Sequence, residues 1–540
     1  MQFTPNSPNK KEKYFLKTTQ PNNLLETERM PPRKQRIKKR EPKLHKFADK
    51  LTEILIYFMA IFSLWAFGTT ESWSIWTMNI TAYTLGCLLI TKWTVRWTAK
   101  YIPNPAPSKE GLSLKQNRLR LIQKACTIML AGSMFLLLSY TLISAINARG
   151  SFNLDNKLYT YFDEVNRNLP HSYNAKATWL LFWQNLGLVI LFWSTRDWFA
   201  GAKLSKSTIS INPRIKRLLL LLCFNGGALA LESIFQRIYF GEHSGKLLFL
   251  IEPTLNSSNM AHFGPFAYRS NASSYLNLIW PICLGLFIQL ARENLEYSKK
   301  RIGSGVELLL IPCIVLAASS PIISSARGGT LVMVFLLIIV SISFIFINIR
   351  SRFLRFSISS VLFIGLGTAY YLGWEKIEIR LVNSFLGDTG GRPQIFETTL
   401  GMIDEYVFTN PLAIAYGSGP GTFQAIAQFE INQNFDEWHS WVHNDYLETL
   451  LTFGVPGSFI IIVVILNLLI LLITNCFAHK LQILFLFFVF SFLGVIVHAA
   501  YDFPIQVYSI CLLLILILAS TSLREHSYSR QSSITLKKML

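Results

Sequence analysis

Charged residues are scarce in this 540-residue chain. Only 15% of it is Asp, Glu, Lys or Arg, against roughly 25% in ordinary soluble domains. With 51% hydrophobic residues and a mean hydropathy of +0.35, that shortage excludes an ordinary soluble globular protein. Acids are scarcer than bases, 31 against 51, which leaves a net charge of +20. The first 49 residues lack an apolar core, so no cleavable signal peptide is expected. There are only seven cysteines: Cys87, Cys126, Cys223, Cys283, Cys313, Cys476 and Cys511. All lie in or beside apolar runs, so they read as small core residues and not as a disulfide frame or metal site. No fixed-period repeat is present. No period-2 alternation suggests a membrane barrel.

What the sequence does have is long apolar runs. Twelve stand out, at about 51–67, 75–94, 123–146, 177–199, 216–239, 272–291, 305–322, 329–349, 356–373, 446–475, 481–500 and 504–522. A helix of about 20 such residues crosses about 30 Å of hydrocarbon. The expected fold is therefore an all-α polytopic membrane protein with about twelve transmembrane helices. Pro312 and Pro321 interrupt the 305–322 run. Residues 1–49 read as a basic disordered tail, 50–522 as the membrane domain and 523–540 as a second tail.

Lys and Arg in the loops set the orientation. Residues 1–50 carry 14 bases against 5 acids, and 92–124 carry 8 against 1. Residues 200–217 carry 5 bases and no acid, and 291–301 carry 4 against 2. Arg350, Arg352 and Arg355 fill the next turn on that side. These loops alternate, so that side reads as cytoplasmic, with both termini inside. The 374–445 loop has three bases, Lys376, Arg380 and Arg392, against ten acids, and reads as extracytoplasmic. The net +20 is then topological charge meeting anionic lipid, not a nucleic-acid surface.

Four features collect on the outer side. Gly264-Pro265-Phe266-Ala267-Tyr268-Arg269-Ser270-Asn271 leads into a helix, and Arg269 stands at that helix's N-terminus. Free backbone N–H groups and the positive dipole end point the same way, a geometry that suits a phosphate. A snorkelling interfacial arginine is the plainer reading. Ser324-Ser325-Ala326-Arg327-Gly328-Gly329 repeats the arrangement at the next outward N-terminus. Arg269 and Arg327 together would clamp a pyrophosphate; a tight turn with an interface anchor is the alternative. In the long loop, Gly391-Arg392-Pro393 precedes Gln394–Tyr406, which reads as an amphipathic helix with Ile395, Phe396, Leu400, Met402 and Ile403 apolar. Gly417-Ser418-Gly419-Pro420-Gly421-Thr422 reads as a structural turn, because its spacing is not a dinucleotide fingerprint.

The fourth feature is His439-Ser440-Trp441-Val442-His443-Asn444-Asp445, which ends where the helix carrying Gly454 and Gly457 begins. His439 and His443 are four apart, but no third ligand stands at a defined offset, so no metal is expected. His443 suits a general base or a substrate-orienting group. Asn444 or Asp445 would cap the helix. On the same face, Asp502 would orient His443, pair with an arginine, or cap the helix before Pro504.

Together these motifs resemble the O-antigen ligase/O-antigen polymerase superfamily of bacterial inner-membrane glycosyltransferases. His443-Asn444, nine residues, then Gly454-Val455-Pro456-Gly457 is similar to the family's His-Asn, nine residues, Gly-x-x-Gly pattern. The following Ser458 stands where the family usually has Thr or Val. Gly264-Pro265-Phe266 with Arg269, Ser325-Ala326-Arg327-Gly328 and Tyr501-Asp502-Phe503-Pro504-Ile505-Gln506 resemble three further family segments. Arg269-Ser270-Asn271 departs from the family's Arg-Asn-His. The resemblance covers about residues 215–520. It implies a GT-C-like fold with an extracytoplasmic loop over the active site. It also implies an undecaprenyl-pyrophosphate-linked glycan donor, a glycan or lipid A core acceptor, and no metal or other cofactor. Its catalytic residue would be His443, with Arg269 and Arg327 on pyrophosphate and Asn444, Arg392 and Asp502 supporting.

A transporter or flippase of lipid-linked sugars is the competing class. It predicts paired charges at mid-membrane depth and repeat symmetry. Glu232, with Arg237 nearby, is the main acid inside a run, and no repeat is found.

Overall fold

The computed structural model describes residues 40–103, 114–153, 158–202, 211–240, 246–251, 261–295, 305–346, 352–385, 392–409, 411–430, 441–478 and 482–521. These residues are mostly helical. In chain order the helices are α1 (Lys43–Trp65), α2 (Ser72–Thr98), α3 (Leu114–Ile146), α4 (Ala175–Ala200), α5 (Pro213–Phe240) and α6 (Arg269–Glu293). Then come α7 (Leu310–Ile323), α8 (Arg327–Phe346), α9 (Arg352–Phe385), α10 (Arg392–Thr409), α11 (Pro411–Tyr416) and α12 (Phe423–Glu430). The last three are α13 (Asp445–Ala478), α14 (Gln482–His498) and α15 (Tyr508–Thr521). A hairpin of β1 (Gly150–Asn153) and β2 (Leu158–Tyr161) is the one sheet among the described residues.

Each of the twelve apolar runs coincides with a helix. Seven helices among the described residues are long and apolar enough to cross a membrane, namely α3 to α6, α8, α13, and α7 with its leading 3-10 turn. α14 and α15 are apolar but shorter. The chain is thus a polytopic all-α membrane protein. Several boundaries move. Lys43–Asp49, read as tail, are already helical. α9 runs on to Phe385 and takes the first dozen residues assigned to the long loop. α10 covers the expected amphipathic helix; Ile395 and Met402 are buried, but Leu400 is 52% exposed and faces away from the core.

α6 is the axis of the body. Every residue from Ser270 to Ala291 is buried. A helix apolar all round belongs among other helices, and α6 adds a cluster of polar residues near its start. Ser270, Asn271, Ser273, Ser274 and Asn277 all lie there, at one end of the body. Gly329 lets α8 close on this end: a Cβ there would stand 2.4 Å from Ser273 Cβ. Asn277 Nδ2 donates to Gly329 O at 2.8 Å, and the Ser273 and Ser324 hydroxyls meet at 2.8 Å.

The opposite end is held by charge. Lys92 is fully buried, with Nζ 2.9 Å from Asp197 and 3.5 Å from Asp49. Arg96 also pairs with Asp197, and Arg214 with Asp49. These contacts join α1, α2, α4 and α5. Lys92 and Arg96, counted above as loop charges, therefore lie inside α2 and are neutralised there. Burying such charges is tolerable because every one has a partner.

α13 is broken at Gly454, whose φ of 64° and ψ of −172° suit glycine alone. The break lets Gly454 meet Gly417 backbone to backbone. The Tyr140 hydroxyl lies 2.8 Å from Tyr416 O and 2.6 Å from Phe453 O, and its ring fits against Gly457. Gly417, Gly419 and Gly421 all have positive φ, in keeping with a structural turn. Gly454→Ala would force a Cβ to within 2.5 Å of Ala415 O. We expect it to cost about 3 kcal/mol or more, read as a lowered melting temperature of the detergent-solubilised protein.

Candidate active site

The candidate residues gather where the N-termini of α6, α8 and α13 meet the C-terminus of α14. Asn444 is the N-cap of α13, its Oδ1 accepting from Tyr446 N at 3.0 Å and Leu447 N at 3.1 Å. It therefore acts as a helix cap. Asp445 Oδ2 accepts from Ile505 N at 2.9 Å and its Oδ1 from Gln506 Nε2 at 3.0 Å. Glu448 Oε2 accepts from Val442 N at 3.0 Å. These bonds fix the residue between them, His443, in a left-handed conformation with φ of 59°. A histidine held there is strained, and such strain gathers at functional sites.

The His443 ring points at Asp502, Nδ1 to Oδ1 3.0 Å. With Nδ1–H donating, Nε2 is left as an acceptor. Asp502 is 2% exposed as a side chain. Its Oδ2 accepts from Arg392 Nη2 at 3.3 Å, from the Tyr268 hydroxyl at 3.3 Å and from the Ser270 hydroxyl. Burial pushes the Asp502 carboxyl up, but the His443 hydrogen bond and the charges of Arg392 and His443 outweigh it and hold the group below the usual carboxylate range. Arg392 also donates to Tyr268 Oη at 2.9 Å and Tyr501 O at 2.8 Å. Burial weakens the Arg392 charge, yet Tyr268 and Asp502 more than offset that. Tyr268 is pushed up to about 12 by burial and then by the Asp502 charge, so its hydroxyl stays neutral.

Aromatic rings line the same place. Trp441 stacks on Phe503 at 4.9 Å, and Phe503 on Tyr268 at 5.6 Å. The His443 ring stands edge-on to Phe503 at 5.2 Å. His498, four residues before Asp502, is only 1% exposed and bonds the Ser270 and Ser274 hydroxyls, so it belongs to the packing under the site.

Arg269 and Arg327 are the first residues of α6 and α8. The structure brings them together: Arg327 bears on Arg269 as a like charge, and so do Arg237 of α5 and Arg380 of α9. Arg237 Nη2 donates to His262 O at 2.9 Å, and its guanidinium lies 5.7 Å from the centre of the Phe263 ring. Glu232, the acid read beside it, contacts Ser233 instead. Sequence reasoning missed Arg237 and Arg380 as members of this group. Arg380 was assigned to a loop, and only the extension of α9 carries it here. The signal available was that each sits near the end of its helix that the orientation rule placed outside.

Among the described residues no three His, Cys, Asp or Glu side chains gather in a way that would hold a metal. His439 and Gly391 lie outside the described residues.

Two expectations follow. Like charges that bear on Arg269 favour an anion among them, so Arg237→Ala and Arg380→Ala should each weaken inorganic pyrophosphate binding by about tenfold, measured by calorimetry. Asp502 has a folded value below the unfolded value of about 3.9. Its stabilising contribution is therefore full above that pH and lost as pH falls below it. Melting temperatures of wild type and Asp502→Asn should differ at pH 7 and draw together progressively as pH falls below about 4.

With this geometry in view, residues 312–462 match the family model described as O-antigen ligase. The match includes Arg327, Arg380, Arg392, His443 and Asn444; Arg237 and Arg269 precede it and Asp502 follows it. No curated protein matches the chain. Over residues 312–462, this chain is similar to the O-antigen ligase family.

Proposed function

We propose that the protein transfers a glycan from an undecaprenyl-pyrophosphate donor to an acceptor sugar, at the extracytoplasmic face of a bacterial inner membrane. The observation that carries this reading is the His443–Asp502 pair, 3.0 Å apart, one residue in sequence from the arginine group through Tyr268 and Ser270. An in-line displacement on a glycosyl diphosphate needs a base and an anion site, and the residues on either side of Arg269 bond the carboxylate that holds His443.

The acceptor hydroxyl gives its proton to His443 Nε2 as its oxygen attacks the anomeric carbon. The bond from that carbon to the diphosphate oxygen breaks, and its electron pair leaves with the lipid diphosphate. Arg269 and Arg327 face the charge that grows on the leaving group. Asp502 holds His443 in the tautomer that leaves Nε2 free and stabilises the ring once protonated. Arg392 secures Asp502 from α10, so the long loop contributes to the site that it covers. One displacement inverts the anomeric centre. The GT-C-like fold, the cytoplasmic termini and a glycan or lipid A core acceptor belong to this same proposal.

The test is transfer by purified enzyme with a lipid-diphosphate glycan donor. His443→Ala should lower kcat by about 10²- to 10⁴-fold, with donor KM little changed. Arg269→Ala and Arg327→Ala should act on donor KM as well. Full activity in all three variants would overturn the assignment. In cells, loss of activity should leave lipid-linked precursor: single repeats for a polymerase, long chains for a ligase.

A further inference from the structure

The β1–β2 hairpin lies outside the matched family segment, and none of the motifs above assigns it a role. It follows α3 and sits at the site end of the body. A run of backbone bonds ties it down. Arg149 N donates to Ser172 O at 2.7 Å and Phe162 N to Arg149 O at 2.8 Å. Tyr173 N donates to Ser418 O at 2.9 Å, and Ser418 N to Leu451 O at 2.9 Å. The path ends in α13, eight residues past His443. The Tyr173 ring packs into the small cluster that holds Val442, the neighbour of His443.

On this support stand three tyrosines and an arginine. Tyr159 and Tyr161 alternate along β2 and so share one face, their rings 4.6 Å apart. Gly150, paired with Tyr161 across the hairpin, makes room for Tyr159: a Cβ there would lie 2.6 Å from the Tyr159 phenol oxygen. The Arg149 guanidinium lies 5.4 Å from the centre of the Tyr173 ring and gives one N–H to its hydroxyl at 3.3 Å. Tyr161 is 73% exposed. Close by, His171 is 1% exposed, and among the described residues neither its Nδ1 nor the buried Nε of Arg149 has a hydrogen-bond partner. Burial, and then the Arg149 charge, push His171 down to about 4, so this ring is neutral. Two polar nitrogens left without partners close to an exposed aromatic face are costly for a patch that only packs or meets lipid. They suit a ligand that is apolar on one face and rich in hydroxyls at its edge. A pyranose has that character: its C–H face lies on a ring, and its hydroxyls bond to arginine and tyrosine.

We propose that Arg149, Tyr159, Tyr161 and Tyr173 form a saccharide-binding platform, which on the transfer reading above is the acceptor-glycan subsite. The sugar ring stacks on Tyr161, and Arg149 donates to its oxygens. The rigid path to α13 sets the distance from the bound glycan to His443.

The experiment uses the full chain in detergent micelles and a core oligosaccharide freed from lipid A as the probe. Saturation-transfer NMR reads contact with the sugar ring protons. Tyr161→Ala and Arg149→Gln should each lose about tenfold in affinity, while Tyr161→Phe, which keeps the ring face, should stay within about twofold. Equal binding by wild type, Tyr161→Ala and Arg149→Gln would overturn the platform. So would a fall in melting temperature for Tyr161→Ala in lipid nanodiscs with binding unchanged, which marks an interface anchor. Binding lost in Tyr161→Ala, alongside a wild type that transfers no glycan, would leave the platform standing and overturn the transfer reading. Transfer with an unchanged acceptor KM in Tyr161→Ala would do the reverse.

Discussion

The Asp502 carboxylate is the contact on which the site depends. It is buried, and it receives hydrogen bonds from four residues on three separate parts of the chain: Tyr268 and Ser270 at the start of α6, Arg392 at the start of α10, and His443 before α13. A lone carboxylate at that depth would be very costly. Its ionised state exists because these donors converge, and they converge because it is there to receive them. The negative charge fixes the His443 tautomer and holds the long loop by Arg392.

The rest of the body is arranged to keep that point fixed. α6 is enclosed along its length, with its polar turns under the site. The far end is closed by Asp49, Lys92, Arg96, Asp197 and Arg214, so four helices are joined by charge where the site places no demand on them. The glycine breaks at Gly417 and Gly454 lock the loop to α13. Catalytic geometry is more precise on rigid elements than on loops, and here even the loop residue Arg392 is held by a rigid partner.

Much of this was legible in the sequence because lipid imposes simple rules. Apolar length located the helices, and the Arg269, Arg327 and His443 motifs stood out as charge at the edges of apolar runs. Three things were not legible. Helix ends that continue into polar sequence, as α2 does through Lys92 and Arg96, carry no local sign that their charges find buried partners. The same holds for α9, whose extension carries Arg380 to the site. The role of Asn444 divides between site and cap on sequence grounds, and only its bonds to Tyr446 N and Leu447 N decide for the cap. The hairpin platform depends on pairing between residues whose relation is set by register, and two four-residue strands give too little pattern to reveal it.

The arginine group has a consequence for turnover. Arg237, Arg327 and Arg380 each bear on Arg269 as like charges, and a bound anion relieves that repulsion. The free lipid diphosphate carries more negative charge than the glycosylated donor, since the ester bond has gone. On the proposed reading, the group that stabilises bond breaking therefore grips the product more tightly than the substrate. Departure of the spent lipid carrier, rather than formation of the glycosidic bond, would then set the pace of the cycle.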